Sequence, residues 1–69
     1  MTQVDLNLRF DYHPPTGEQP ERYTELRAEA KAFAAKVLEL TPASREQSLA
    51  ITAIEQALMW ANASIARNE

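Results

Sequence analysis

Hydrophobic and polar residues alternate strictly along residues 4–12, VDLNLRFDY. The apolar positions are Val4, Leu6, Leu8, Phe10 and Tyr12. A period of two residues is typical of a half-buried β-strand, so the pattern predicts a strand over 4–12. No other segment has this pattern, which leaves the strand without a partner in its own chain. Because an unpaired strand exposes its backbone N–H and C=O groups, we expect it to pair with a second copy.

A loop and a long helix come next in the pattern. The segment 13–20, HPPTGEQP, holds three of the four prolines and the only glycine, which predicts a turn-rich loop over 13–19. Apolar residues then recur at spacings of three and four: Tyr23, Leu26, Ala30, Phe33, Val37 and Leu40. This stripe predicts a helix over 20–40, with Pro20 at its first position. The helix ends before Pro42, because a residue that precedes proline is disfavoured in the helical conformation.

A second helix is predicted over 43–67. Thr41 is one candidate for its N-terminal cap, and Ser44 with Gln47 offers an alternative capping box. One apolar stripe is expected to face the first helix: Ile51, Ile54, Leu58, Ala61 and Ile65. At about 100° per residue, a second apolar set lies on roughly the opposite side: Leu49, Ala53 and Trp60. A helix with two apolar faces needs more partners than a two-helix hairpin supplies.

These elements define a mainly α fold class. We expect a short N-terminal β-strand followed by an antiparallel two-helix hairpin, within a single domain over residues 1–69. A chain of 69 residues usually needs a disulfide, a metal ion or a partner for stability, and this chain contains no cysteine. The sequence therefore favours a homo-oligomer.

The charge balance narrows the classes of ligand. The formal net charge is −3, with seven Lys and Arg against ten Asp and Glu. Binding to nucleic-acid polymers relies on a basic surface, so we expect none. A small anionic ligand is compatible with this charge, because a few converging basic side chains suffice for a phosphate. No apolar run approaches the about 20 residues of a membrane span, and no signal peptide is visible, so we expect a cytoplasmic protein without a membrane partner.

The residues that usually perform catalysis are scarce. Cysteine is absent, and the single histidine, His13, lies in the proline-rich turn. The acidic residues fall mostly on polar helix positions or in the alternation of the predicted strand. Because no nucleophile–base pair, catalytic triad or metal cluster is assembled, we expect no enzymatic activity, no metal site and no cofactor.

The first helix carries a basic pair beside its apolar stripe. Arg27 and Lys31 are four residues apart and share a face, and Tyr23 lies one turn before Arg27. The pair is either part of a solvated face or a binding feature. Neither residue has an acidic neighbour three or four positions away, where a helical ion pair would form, which favours a functional or intermolecular role.

The second helix carries a comparable set of candidate binding residues in the stretch MWANASIAR, residues 59–67. Asn62 borders the buried stripe, and it serves either as a helix–helix hydrogen-bond partner or as a ligand contact. Arg67 either complements the helix dipole in the last turn or binds an anion. Trp60, like Tyr23, is either a packing residue or a stacking surface.

The predicted strand delivers Tyr12 and His13 to the start of the loop, where His13 before two prolines also has a structural reading. Taken together, the candidate residues supply cationic groups for phosphates, aromatic rings for stacking and one amide for a base edge. This inventory suits a nucleotide-like ligand.

Three stretches together resemble one known family: YHPPTGEQPERYTELR, the TPAS turn and MWANASIAR. They resemble the hairpin domain of phage-encoded anti-CBASS and anti-Thoeris proteins, the sponges that sequester cyclic nucleotide immune signals. The resemblance extends over about residues 10–67. The linked pattern is more specific than any single stretch within it.

The resemblance implies a non-catalytic binding protein of the infected bacterial cell. Members form compact helical oligomers, often hexamers, with pockets between chains. They hold cyclic dinucleotides, cyclic trinucleotides or cyclic ADP-ribose isomers intact, so that host effectors are not activated.

Roles for the candidate residues follow from their chemistry within such a pocket. We expect Arg67, Arg27 and Lys31 to bind phosphates, and Asn62 to bind a base or ribose edge. The stacking residues are expected among Tyr12, Tyr23 and Trp60. His13 could close the pocket.

Two other functions are compatible with parts of the pattern. A structural or protein-binding helical oligomer that inhibits a host protein would assemble without affinity for a small molecule. A hydrolase of the same signals would release a changed ligand, but the sequence supplies neither a nucleophile nor a metal site for it.

Overall fold

The N-terminal segment is a helix in the computed structural model, which describes residues 1–69. Helix α1 spans Gln3–Phe10, so the predicted β-strand over 4–12 is wrong. Thr2 caps the helix: its hydroxyl accepts a hydrogen bond from the Asp5 N–H, and its own backbone N–H donates to the Asp5 carboxylate. The Thr2 hydroxyl also donates to the Asp5 carboxylate at 2.9 Å, and the backbone and hydroxyl hydrogen bonds that Thr2 donates lower the pKa of Asp5. The capping box gives partners to two N–H groups that a helix otherwise leaves unpaired.

The segment forms helix α1 because the chain contains no second strand with which it could pair. A helix satisfies the backbone hydrogen bonds of a segment locally, whereas a lone strand leaves them unpaired. The argument that an exposed strand recruits a second copy therefore has no basis. The apolar side chains of α1 remain uncovered within the chain, including Val4 and Phe10.

Residues 11–18 connect α1 to the next helix and are held at both ends. The His13 ring donates from Nε2 to the carbonyl oxygen of Leu8 at 2.9 Å. At the other end, the Thr16 N–H donates to Gln19 Oε1 at 3.1 Å, and the Gln19 N–H donates to the Thr16 carbonyl oxygen at 2.9 Å. Gly17 lies between them with φ 54, a left-handed conformation that favours glycine.

The rest of the chain is an antiparallel helical hairpin, which confirms the mainly α class. Helix α2 spans Gln19–Leu40 and helix α3 spans Arg45–Asn68. At 1.5 Å per residue these helices are about 33 and 36 Å long.

The short turn between α2 and α3 settles which residue caps α3. The Ser44 hydroxyl accepts from the Gln47 N–H at 3.1 Å, so Ser44 is the N-terminal cap. Thr41 instead closes the end of α2, where its hydroxyl donates to the Val37 carbonyl oxygen. The Gln47 side chain donates to Thr41 rather than back to Ser44, so the capping box is only half formed.

The hairpin packs through its apolar stripes but encloses no core. The predicted stripe of α3 is half-buried against α2: Ile51, Ile54, Leu58, Ala61 and Ile65. No hydrophobic side chain of the chain is fully buried, and the one buried residue is Gln19, at 6% exposure. Trp60 is 69% exposed and has no cover within the chain, as expected for the second apolar face of α3.

The molecule is flat because it consists of a single layer of helices. Its extents are 45 × 29 × 13 Å. Its accessible surface is 5614 Å². A compact monomer of this mass would expose about 4,400 Å². None of the three helices combines the length and hydrophobicity that a membrane crossing requires.

Candidate ligand-binding cleft

A cleft of about 380 Å³ lies where the loop after α1 meets the first half of α2 and the last turns of α3. We call this site the cleft. Its lining residues are Tyr12, His13, Pro15, Tyr23, Arg27, Asn62, Ala63 and Ala66. This volume is at the lower end of the range of small-molecule sites, about 300–1,000 Å³. None of the lining residues is acidic, so the cleft is suited to an anion.

Helices α2 and α3 each contribute to the cleft side chains that the helical repeat places on one face. Tyr23 and Arg27 are four residues apart on α2 and therefore lie on the same face. On α3, Asn62 and Ala66 have the same spacing. The alanine at position 66 leaves room beside the amide of Asn62.

Arg27 provides the positive charge of the cleft. Its guanidinium makes one long hydrogen bond, from Nη2 to the Thr24 hydroxyl at 3.4 Å, and forms no salt bridge. The chain has two ion pairs, Arg22 with Glu69 and Lys36 with Glu39, and neither involves Arg27. An exposed guanidinium without an acidic partner retains its donors for a bidentate contact with a phosphate.

Asn62 provides an unused hydrogen-bond acceptor. Its Oδ1 atom is closed off from solvent and has no partner within the chain. A buried acceptor without a partner costs free energy, and native structures contain few of them. Asn62 lines the cleft, and a ligand there would reach this acceptor only after a rotation of the amide about its last side-chain bond, which is torsionally soft.

Two tyrosine rings and the imidazole of His13 complete the polar and aromatic lining of the cleft. Tyr23 is half-buried beside Arg27, whereas Tyr12 is largely exposed at the mouth of the cleft. Because the His13 Nε2–H is committed to Leu8, its Nδ1 atom is the ring nitrogen that remains for a ligand.

The structure thus brings together five of the eight residues predicted from the sequence: Tyr12, His13, Tyr23, Arg27 and Asn62. The other three do not line the cleft. Arg67 follows Ala66 in α3, but its guanidinium is directed to the carbonyl oxygen of Arg9 at the end of α1, at 3.5 Å. Lys31 is exposed one turn beyond Arg27, and Trp60 is exposed on α3.

A second concavity, which we call the apolar groove, runs between α2 and α3 and shares no residue with the cleft. Its volume is about 750 Å³. Its lining is Leu26, Glu29, Ala30, Phe33, Val37, Ala50, Ala53, Ile54, Ala57, Leu58 and Ala61. Ala53 lies at the edge of this groove, on the same side of α3 as Trp60, because residues seven apart on a helix are separated by only about 20°.

Sequence reasoning missed residues that shape the cleft without carrying charge. Pro15, Ala63 and Ala66 form part of its wall. Gln19 was also missed, although it is the buried residue that holds Thr16. A signal for Gln19 was present, because Thr16 and Gln19 have the T-x-x-Q spacing of a capping box.

The fold and the cleft define a class of protein: a flat helical hairpin with an exposed apolar groove and a small cleft suited to an anion. The profile of the Acb2/Tad1 hairpin domain matches residues 3–66. The chain belongs to this family, which is the anti-CBASS/anti-Thoeris sponge family. No curated protein and no solved structure gives a significant match.

Proposed function

We propose that the chain is a phage immune-evasion sponge. It binds cyclic nucleotide second messengers, either cyclic di- and trinucleotides or cyclic ADP-ribose isomers, and sequesters them in the infected bacterial cytoplasm. The family membership supports this proposal, because the family is known for binding cyclic nucleotide signals.

The observation that carries the proposal is the convergence of unpaired binding groups in the cleft. Arg27 has no acidic partner, Asn62 has a buried acceptor without a donor, and the half-buried Tyr23 lines the cleft. Tyr23 and Arg27 lie on α2 and Asn62 lies on α3, and neither the charge of Arg27 nor the acceptor of Asn62 is paired within the chain. A phosphate for Arg27, a base or ribose edge for Asn62 and a base for a tyrosine ring would use all three.

Binding without turnover is part of the proposal. The cleft contains no carboxylate and no Ser or Thr hydroxyl, and its histidine is hydrogen-bonded to a backbone carbonyl oxygen. A lining of this kind can hold a phosphodiester, but it offers no activated nucleophile to attack one.

We also propose that the working form is a homo-oligomer, as in the hexamers that the resemblance implies. The chain exposes about 1,200 Å² more surface than a compact monomer of its mass, and the apolar groove is open. One partner of a standard interface contributes about 800 Å². A second copy that covers the groove would supply the missing core. A neighbouring chain could then bring Arg67, Lys31 or Trp60 to a ligand.

The alternative function is a helical oligomer that inhibits a host protein through contact. The specific observation in its favour is the apolar groove, because exposed apolar surface of this kind also suits a protein partner. This alternative predicts assembly without affinity for any cyclic nucleotide.

Native mass spectrometry with a panel of ligands separates the two functions. The purified protein is measured alone and with cyclic dinucleotides, cyclic trinucleotides and cyclic ADP-ribose isomers. We expect an oligomer that gains whole ligand masses and returns the ligand chemically unchanged after heat denaturation. An oligomer that gains no ligand would favour the protein-binding alternative, and a changed ligand would indicate a hydrolase.

Replacement of Arg27 tests the cleft directly. In the Arg27→Ala variant we expect the affinity for the best ligand of the panel to fall about ten- to hundredfold, because a hydrogen bond to a charged group contributes about 1.5–3 kcal/mol. Isothermal titration calorimetry measures the change. The matched control is Arg45→Ala, which removes the same charge at the other end of the hairpin. Equal affinities for the two variants would remove Arg27 from the site.

A further inference from the structure

We propose that Gln19, Arg22 and Glu69 are positioning residues for the cleft. They do not line it. Gln19 holds the loop that carries Tyr12 and His13, and the pair of Arg22 with Glu69 holds the end of α3 to the start of α2. We call this set, together with Thr16, the loop tie. The inference rests on the proposed function, because it concerns the same cleft.

The first part of the loop tie joins the loop to the start of α2. Thr16 and Gln19 exchange two hydrogen bonds, one through the Gln19 side chain and one through the backbone. Gln19 is the one buried residue of the whole chain, and it is polar. This protein has no buried hydrophobic side chain, so the burial of a glutamine at a loop–helix junction indicates that Gln19 serves to fix the position of the loop.

The second part of the loop tie joins α2 to the residue after α3. Arg22 in the first turn of α2 donates from both terminal nitrogens to the two carboxylate oxygens of Glu69, across 47 positions of the sequence. These hydrogen bonds from Arg22 lower the pKa of Glu69, and a side-chain hydrogen bond from Gln19 lowers it further. A bidentate pair fixes geometry as well as distance.

The loop tie therefore connects all the segments that form the cleft. Arg22 and Gln19 lie on α2 upstream of Tyr23 and Arg27. Glu69 follows the turns of α3 that carry Asn62 and Ala66. Thr16 is in the loop, three residues after His13.

A loop that is already held in its binding position loses less conformational entropy when a ligand binds. These contacts are therefore expected to strengthen binding without touching the ligand.

Gln19→Ala is the direct test. It removes the acceptor for the Thr16 N–H but leaves every lining side chain of the cleft in place. We expect the affinity for a panel ligand to fall about two- to tenfold, as for the loss of one hydrogen bond, with the number of ligands per chain unchanged. Amide hydrogen exchange of the free protein should quicken at Tyr12, His13 and Thr16 and stay unchanged across α3.

A charge exchange separates positioning from a general loss of stability. Glu69→Arg alone sets two like charges against each other and should weaken binding, whereas the Glu69→Arg, Arg22→Glu double variant should restore most of the affinity. The matched control is Glu39→Arg, which breaks the other ion pair of the chain, with Lys36, far from the loop. We expect the control to bind as the wild type does.

The outcomes distinguish this inference from the proposed function. If the wild type binds no member of the panel, the proposed function fails and the inference fails with it. If the wild type binds and Gln19→Ala binds equally well despite faster exchange in the loop, the inference alone is overturned. Failure of the double variant to recover affinity would also overturn it.

Discussion

At the scale of single residues, Asn62 has properties that suit binding better than stability. Asparagine has a lower helix propensity than alanine, and the Oδ1 atom of Asn62 is buried without a hydrogen-bond partner. Both features destabilise the free hairpin. A residue that costs stability in the unbound state is typical of a site that a ligand completes.

Replacement of Asn62 by alanine should therefore separate stability from affinity. We expect Asn62→Ala to raise the free energy of unfolding by about 0.5 kcal/mol, because it improves helix propensity and removes the unpaired acceptor. Affinity for a panel ligand should fall about tenfold. Chemical denaturation and calorimetric titration measure the two quantities.

Asn68→Ala is the control for this change. Asn68 is an exposed asparagine at the end of α3, and its side chain donates to the Ser64 carbonyl oxygen outside the cleft. We expect this variant to retain wild-type affinity. A loss of stability in Asn62→Ala would instead assign Asn62 to helix packing.

At the scale of elements, α1 shows how a short pattern misleads. Strict alternation over 4–12 contains pairs four residues apart, such as Val4 with Leu8, which a helix also places on one face. The spacing of Thr2 and Asp5 already offered a helix N-terminal cap. The long helices were easier to predict, because their stripes extend over many turns and Pro42 marks the break between them.

Replacement of Ser44 tests how much the N-terminal cap of α3 contributes to the stability of the fold. Ser44→Ala removes the acceptor for the Gln47 N–H and should lower the free energy of unfolding by about 1 kcal/mol. Thermal and urea unfolding followed by circular dichroism measure the change. Ser48→Ala, at an exposed serine inside α3, is the matched control and should raise stability by about 0.5 kcal/mol, because alanine has the higher helix propensity. If Ser44→Ala has wild-type stability, the Ser44 cap contributes nothing.

At the scale of the whole molecule, the apolar groove is the surface through which we propose that copies of the chain assemble. Phe33 is 61% exposed and lines the groove, whereas Leu38 is 57% exposed and does not. Both are large apolar residues of α2 with similar exposure. They therefore form a matched pair for testing which face another copy covers.

A glutamate at position 33 should break the assembly. In Phe33→Glu we expect the mass from sedimentation velocity to fall toward that of the 7.8 kDa chain, because a buried unpaired charge is strongly unfavourable at an interface. Leu38→Glu should retain the wild-type mass. Dissociation of both variants, or of neither, would mean that the groove is not the interface between copies.

The helical hairpin, the turn at Thr41-Pro42 and the family could be predicted from patterns in the sequence. Periodicity, proline and local capping act over a few residues, so they can be read without the fold. The sequence also supplied the candidate residues of the site. It showed that Arg27 has no acidic residue three or four positions away on its helix.

Which of those candidate residues lie together in one cleft depends on how the helices pack. Arg27 and Asn62 come together because α2 and α3 cross at a particular rotation, and Arg67 turns instead to the end of α1. The structure also revealed the loop tie, since the contact between Arg22 and Glu69 joins positions that the helices bring close together. Contacts between residues far apart in the sequence depend on how whole elements pack, and no local pattern records that packing.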